Sequence, residues 1–144
     1  MLKNIPPILG PDLLGILRAM GHGDEIAIVD ANYPADSAGP VLVRLDGITA
    51  TDVLDAILTV MPLDDFVDEA AICMQVVGDP NKREPVMDLF EGIVKRHEPE
   101  MGLSSLERFA FYERVSNGYA IIQTGERRLY GNILLKKGVI RPDA

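Results

Sequence analysis

The sequence predicts a single α/β domain spanning residues 1–144, with helices on both faces of a mixed, mostly parallel sheet. Three observations carry that expectation. Short apolar, β-branched runs alternate with segments whose apolar residues recur at helical spacing over most of the length, the order expected of crossover units in a covered sheet. The chain has 144 residues, 47% of them hydrophobic and 25% charged, enough to bury one proper core and too few for two. No internal repeat, low-complexity tract or linker interrupts it.

The elements follow in order. Pro11 suits the first position of a helix whose apolar residues Leu13, Leu14, Leu17 and Met20 share one face, and Gly21 closes it. Glu25 to Val29 is a short apolar run bounded by turn residues, read as an interior strand. The polar loop Ala31 to Pro40 precedes a second strand, Val41 to Leu45. Thr49 or Thr51 caps a helix that runs through Met61 and stops at Pro62. Ala70 to Val77 reads as a third strand, and Glu84 to Arg96 as a helix with basic residues in its last turn. A further helix is expected from Ser104 or Ser105 to about Asn117. Tyr119 to Thr124 and Asn132 to Leu135 then look like a closing, hairpin-like pair, which makes an all-parallel sheet improbable.

Composition excludes several functions. A formal net charge of −8 opposes nucleic-acid binding, and the pairs Lys82-Arg83, Lys95-Arg96, Arg127-Arg128 and Lys136-Lys137 are diluted by acids, as on a solvated surface. No apolar run is long enough to cross a bilayer, and Ile5-Pro6-Pro7-Ile8-Leu9 is too short and proline-broken for a signal peptide. A cytoplasmic protein is expected. Cys73 stands among apolar neighbours as a small buried hydrophobe, and His22 and His97 lie too far apart in sequence for a ligand pair, so no metal is expected. There is no nucleophile elbow, phosphate-binding loop or dinucleotide fingerprint, and no cofactor is expected.

What remains is an acid–base set. His22 stands between Gly21 and Gly23, presented by a loop rather than packed, and Asp30 falls at the carboxyl end of the strand that follows. About six residues at roughly 3.3 Å each separate the two by some 20 Å. They share a site only if the glycine loop folds back or if a second subunit supplies one of them. The plain alternative for an isolated histidine is a surface or hydrogen-bonded core residue. Arg108 opens a helix, where a cation opposes the dipole, so either a functional partner or pairing with Glu107 or Glu113 explains it. Tyr130-Gly131-Asn132 allows close backbone approach beside a phenol and an amide, as in a site for hydroxyl-rich ligands or in an ordinary turn. Tyr33 offers an aromatic face for a sugar ring or a staple for its loop, and Tyr112 and Tyr119 are expected to face the core. Such a set, without nucleophile or cofactor, suits proton transfer on a small polar substrate.

In this order, the segments Leu2-Lys3-Asn4-Ile5-Pro6-Pro7, Met20-Gly21-His22-Gly23-Asp24-Glu25-Ile26, Asp30-Ala31-Asn32-Tyr33-Pro34, Arg108-Phe109-Ala110-Phe111-Tyr112-Glu113-Arg114 and Tyr130-Gly131-Asn132-Ile133-Leu134-Leu135-Lys136-Lys137-Gly138-Val139 resemble the L-fucose mutarotase / D-ribose pyranase family across the whole chain. Asp-Ala-Asn-aromatic-Pro and the Arg108 block resemble the fucose branch, although Tyr33 stands where phenylalanine is commoner. The resemblance implies a three-layer α/β/α fold and His22 as catalytic proton donor. It implies Asp30, Arg108, Tyr130, Gly131 and Asn132 as substrate-binding residues, and homo-oligomers, ring-shaped decamers among them, with sites near subunit contacts. The implied activity is interconversion of the anomers of L-fucose. D-ribose pyranase and a non-catalytic monosaccharide-binding protein are the alternatives.

Overall fold

The computed structural model describes residues 1–143. In chain order the elements are α1 (Pro11–Ala19), β1 (Glu25–Val29), β2 (Val41–Leu45), α2 (Ala50–Val60), β3 (Ala71–Met74), α3 (Pro85–His97), β4 (Ser104–Leu106), α4 (Arg108–Ser116), β5 (Ala120–Thr124) and β6 (Ile133–Lys136). The six strands form one sheet in the order β2-β5-β1-β6-β3-β4. β2, β5 and β1 pair in parallel, as do β3 and β4, while β6 runs antiparallel to both β1 and β3.

Alternate residues of the interior strands feed two apolar layers, as the two-residue period of a strand requires. Ile26 and Ile28 of β1, Ile122 of β5 and Ile133 and Leu135 of β6 join the helical stripes Leu13 and Leu17, Val53, Leu54 and Ile57, and Val86, Phe90 and Val94. Ala27 and Val29, Ile121, Leu134, and Ile72 and Met74 of β3 face the other way, onto Phe111 and Val115 of α4 and onto Tyr33 and Ala35 of the loop after β1. Thus α1, α2 and α3 cover one face, and α4 with that loop covers the other. Fully buried side chains such as Phe90 and Ile57 each contribute about 1.5–3 kcal/mol. Arg114 clamps α4 to the sheet through Glu25, with its NH2 2.7 Å from Oε2. None of the helices among the described residues is long and apolar enough to cross a membrane.

The structure corrects three expectations. Ser104 and Ser105 do not start a helix, because pairing with Ile72 and Cys73 draws them into edge strand β4. The cap of α4 is Glu107, whose Oε2 accepts the Ala110 amide at 3.0 Å. The last two strands are not a hairpin, since β1 lies between them, and the antiparallel member arises from insertion of β6 between β1 and β3. β3 ends at Met74, after which the chain turns at Val76 to Asp79. The helix after Thr49 is capped there, with Thr49 Oγ1 accepting from the Asp52 amide at 3.3 Å. Cys73 is buried as expected, and burial pushes its thiol up to about 11, which keeps it protonated.

Candidate active site

β1 and β3 deliver their carboxyl ends, and antiparallel β6 its amino end, to one edge of the sheet. There Asp30 and Asn132 are neighbours although 102 residues apart: the Asp30 amide donates to Asn132 Oδ1 at 2.8 Å. Asp30 Oδ1 accepts the Asn32 amide at 3.0 Å. Burial pushes the Asp30 carboxyl above its usual value, only partly offset by the Asn32 amide and the Asn132 side chain, and the Glu126 charge raises it further.

A cleft of about 240 Å³ opens beside this carboxyl, lined by Asp30, Asn32, Tyr33, Met74, Val77, Arg108, Tyr112, Leu129, Tyr130 and Asn132. Its size suits a single small ring rather than a nucleotide, since ligand cavities commonly span roughly 300–1,000 Å³. Arg108, first residue of α4, stacks its guanidinium 4.4 Å from the centroid of the Phe109 ring, and its buried Nε has no hydrogen-bond partner among the described residues. Neither acidic neighbour weighed in the sequence takes it: Glu107 caps the helix. Tyr130 is held with φ at +62°, and its hydroxyl accepts the Val77 amide at 3.0 Å, leaving the phenol proton to donate into the cleft.

The loop carrying Tyr130 is pinned from below by Glu126, a carboxylate with 3% exposure. Glu126 Oε2 accepts Arg128 Nε at 2.9 Å and the Arg128 amide at 3.0 Å, Oε1 accepts Arg128 NH2 at 2.6 Å and the Ala50 amide at 3.3 Å, and the Glu126 carbonyl accepts the Ala31 amide at 2.9 Å. Burial raises the Glu126 carboxyl, but these donors outweigh it and hold it below its usual range. Gly131 is buried and does not line the cleft: a Cβ there would lie 2.6 Å from Glu126 Cγ. Its part is to let the loop pass Glu126.

His22 is at the other end of β1. Its Nε2 lies 3.0 Å from Oδ1 of Asp64, whose side chain is 4% exposed, and its ring centroid is 5.1 Å from that of Phe66. Burial raises the Asp64 carboxyl, yet the Phe66 amide and the His22 ring bring it below its usual value, so it stays an anion facing the imidazole. The loop is fastened by Lys137, which sequence reading left on the solvated surface: Nζ donates to the Leu17 and Met20 carbonyls at the end of α1, and its carbonyl accepts the Gly23 amide at 2.9 Å. Gly23 takes φ +88°; Gly21 has no such conformation. The loop does not fold back along the sheet, so the chain unites Asp30, Arg108, Tyr130 and Asn132 in one cleft and leaves His22, with its side chain 44% exposed, outside it.

Tyr33, open in the sequence between a stacking face and a loop staple, takes the second role, and two further placements differ from expectation. Tyr33 is 5% exposed with ring edges packed on Phe111 and Tyr112, so it staples its loop and offers no face for stacking. Tyr112 lines the cleft, and Tyr119 is 38% exposed instead of buried in the core. Sequence reasoning missed Asp64, Glu126 and Val77, which act through contacts 42 or more residues away or through a local loop shape that no spacing announces.

The chain is similar over its whole length to proteins of known kind. A fucose mutarotase of Danio rerio is 43% identical over 148 residues, covering 99% of this chain and 97% of that protein. The crystal structure of the fucose mutarotase of Streptococcus pneumoniae in complex with L-fucose superposes with a TM-score of 0.90 at 43% identity, covering 97% of this chain and 100% of that one. FucU from Bifidobacterium longum gives a TM-score of 0.91 at 44% identity, over 96% and 100% of the two chains. Residues 3–140 match the family model as well, and on these grounds the chain belongs to the RbsD / FucU transport protein family.

Proposed function

We propose that this protein is an L-fucose mutarotase, an isomerase that exchanges the α and β anomers of the sugar by opening and reclosing its hemiacetal ring. The observation that carries the reading is the convergence of Asp30, Arg108, Tyr130 and Asn132, drawn from three separate segments, on one cleft of monosaccharide size. Ring opening needs a proton at the ring oxygen and loss of one from the anomeric hydroxyl, so an acid and a base act on neighbouring atoms. Asp30, whose burial makes it a stronger proton acceptor than an ordinary carboxylate, suits the anomeric hydroxyl. The Arg108 guanidinium and the Tyr130 phenol orient the ring and stabilise charge developing on oxygen. His22 is the proton donor, its ring oriented by Asp64.

Since His22 lies outside the cleft of its own chain, the complete site in this reading is formed between copies, His22 of one reaching the cleft of the next. Exposed apolar side chains stand at both ends of such a contact: Phe66, 64% exposed, beside His22, and Leu129, also 64% exposed, with Val77 on the cleft rim. Two different surfaces meet, so the contact is head-to-tail, the kind that builds a ring where its rotation closes, and a ring-shaped decamer is the proposed state. A free, buried Cys73 is compatible with the cytoplasm as its compartment.

The test is NMR saturation transfer between the anomers of L-fucose, where catalytic amounts of protein should accelerate exchange well beyond the rate in buffer. A parallel measurement of pyranose–furanose exchange on D-ribose should show a smaller effect; the reverse preference makes the protein a ribose pyranase. Binding of either sugar without faster exchange makes it a binding protein.

Asp30 allows a second prediction. A carboxyl whose pKa is raised by folding holds its proton more tightly in the folded state, so its ionisation subtracts stability as pH climbs from the ordinary carboxyl value through the raised one. Asp30→Asn is therefore expected to raise the thermal midpoint of the sugar-free protein at neutral pH, with the gain shrinking as pH falls toward the ordinary aspartate value. Sugar affinity should drop by roughly 10- to 100-fold, the worth of hydrogen bonds to a charged group. Scanning calorimetry across pH and titration with L-fucose read both, and a variant less stable at every pH would refute the stability half.

A further inference from the structure

Two buried polar side-chain atoms have no hydrogen-bond partner among the described residues, the Arg108 Nε and the Tyr33 hydroxyl, and both belong to residues lining the Asp30 cleft. Arg108 already has a role in holding the sugar. Tyr33 has none. Leaving a buried hydroxyl unpaired costs free energy that a phenylalanine would avoid, and native interiors rarely keep such a group without use.

Nor can the hydroxyl relieve itself by moving. The Tyr33 amide donates to the Asp30 carbonyl at 3.3 Å, and its own carbonyl accepts Gln123 Nε2 at 2.8 Å and the Ala35 amide at 2.8 Å. The ring is wedged edge-on against Phe111 at 6.2 Å and Tyr112 at 5.1 Å between centroids. Burial, with the neighbouring Tyr112 and Asp30 adding to it, raises the phenol further above its already high range, so it keeps its proton. A fixed, protonated hydroxyl, itself sealed from solvent, is thus left unpaired on a residue that lines a cleft whose proposed occupant carries hydroxyls around its ring.

We propose that Tyr33 is a specificity-determining residue of the sugar site, its phenol hydroxyl pairing with one hydroxyl of the bound monosaccharide. The proposal rests on the sugar-binding reading above. A cleft that pairs with a particular substrate hydroxyl rejects the analogue lacking it far more strongly than an apolar wall would, because the protein's own group is then stranded. Tyr33 therefore makes the cleft discriminate among sugars by the presence of one hydroxyl as well as by shape.

The experiment uses Tyr33→Phe, which removes one oxygen and preserves the ring packing, in the assembled protein. Calorimetric titration is run on wild type and variant with L-fucose and with its singly deoxygenated analogues, alongside the thermal midpoint without sugar. The variant should bind L-fucose about three- to tenfold more weakly, as loss of a neutral hydrogen bond predicts. One deoxy analogue, poorly bound by wild type, should bind both proteins alike, and the sugar-free midpoint should be unchanged or higher. Equal affinities of the two proteins for every sugar would mean that an ordered water satisfies the phenol, and would overturn the proposal. Uniform weakening toward all the sugars would overturn it in favour of a purely structural role. If wild type itself binds none of them, the sugar-site reading fails and takes this inference with it, whereas binding by wild type with an indifferent variant removes the role of Tyr33 alone.

Discussion

His22→Ala is expected to abolish the acceleration of anomer exchange, a loss of about 10²- to 10⁴-fold, while L-fucose still binds. The expectation follows from geometry, because the residues proposed to grip the sugar line a cleft to which His22 contributes nothing within its own chain. Saturation transfer measures the rate and titration calorimetry the binding. A composite site has a sharper signature. His22→Ala keeps a sound cleft and lacks the donor, whereas Asp30→Asn keeps the donor and lacks a sound cleft. Mixed in equal amounts and allowed to exchange subunits, the two inactive proteins should recover about a quarter of wild-type activity, the share of head-to-tail contacts that pair a good donor with a good cleft. Mixtures as inactive as their components would show that His22 works within its own subunit or not at all.

Glu126→Ala is expected to destabilise the fold by about 1–3 kcal/mol, the cost of leaving the buried Ala50 amide without its acceptor, and to weaken sugar binding by tenfold or more. Its carboxylate holds the Ala50 amide at the start of α2 and three donors of Arg128. Losing it strands those donors and frees the segment that sets the left-handed Tyr130. Since the carboxyl is held below its usual range, the stability that it contributes is present above the ordinary glutamate value and is lost as pH falls through the lowered one. Gly131→Ala attacks the same contact from the other side, its Cβ meeting Glu126 Cγ. The two substitutions together should therefore cost less than their sum in chemical denaturation, and strict additivity would argue against the packing described for this loop.

Much of the fold was legible because the interior strands are written as apolar runs and the helices as periodic stripes: Ile26 to Val29 and Ala120 to Thr124 are buried throughout, and Leu13 and Leu17 point inward together. The strand order was not, since pairing is decided by which surfaces fit after the helices dock. That is why Ser104 and Ser105 read as the start of a helix, the three residues of β4 having no pattern apart from the β3 edge they complete. In the site, Asp30 was legible from its place at a strand end and Arg108 from its awkward position opposing a helix dipole. The separation of His22 from Asp30 was legible too, from the rise of a strand. Asp64 beside His22, Glu126 on the Ala50 amide and the unpaired phenol of Tyr33 were not, because each is defined by a neighbour remote in sequence or by a partner that is missing.

The strand that joins the two parts of the sheet, β6, is translated after the other five. Until it emerges, β1 and β3 each present a bare, largely apolar edge to the cell, and Asp30 lacks the Asn132 amide oxygen that receives its backbone N–H. A nascent chain can gather its helices early but cannot close its sheet, so maturation is a late, long-range event, and the unfinished chain is the form most in need of a chaperone.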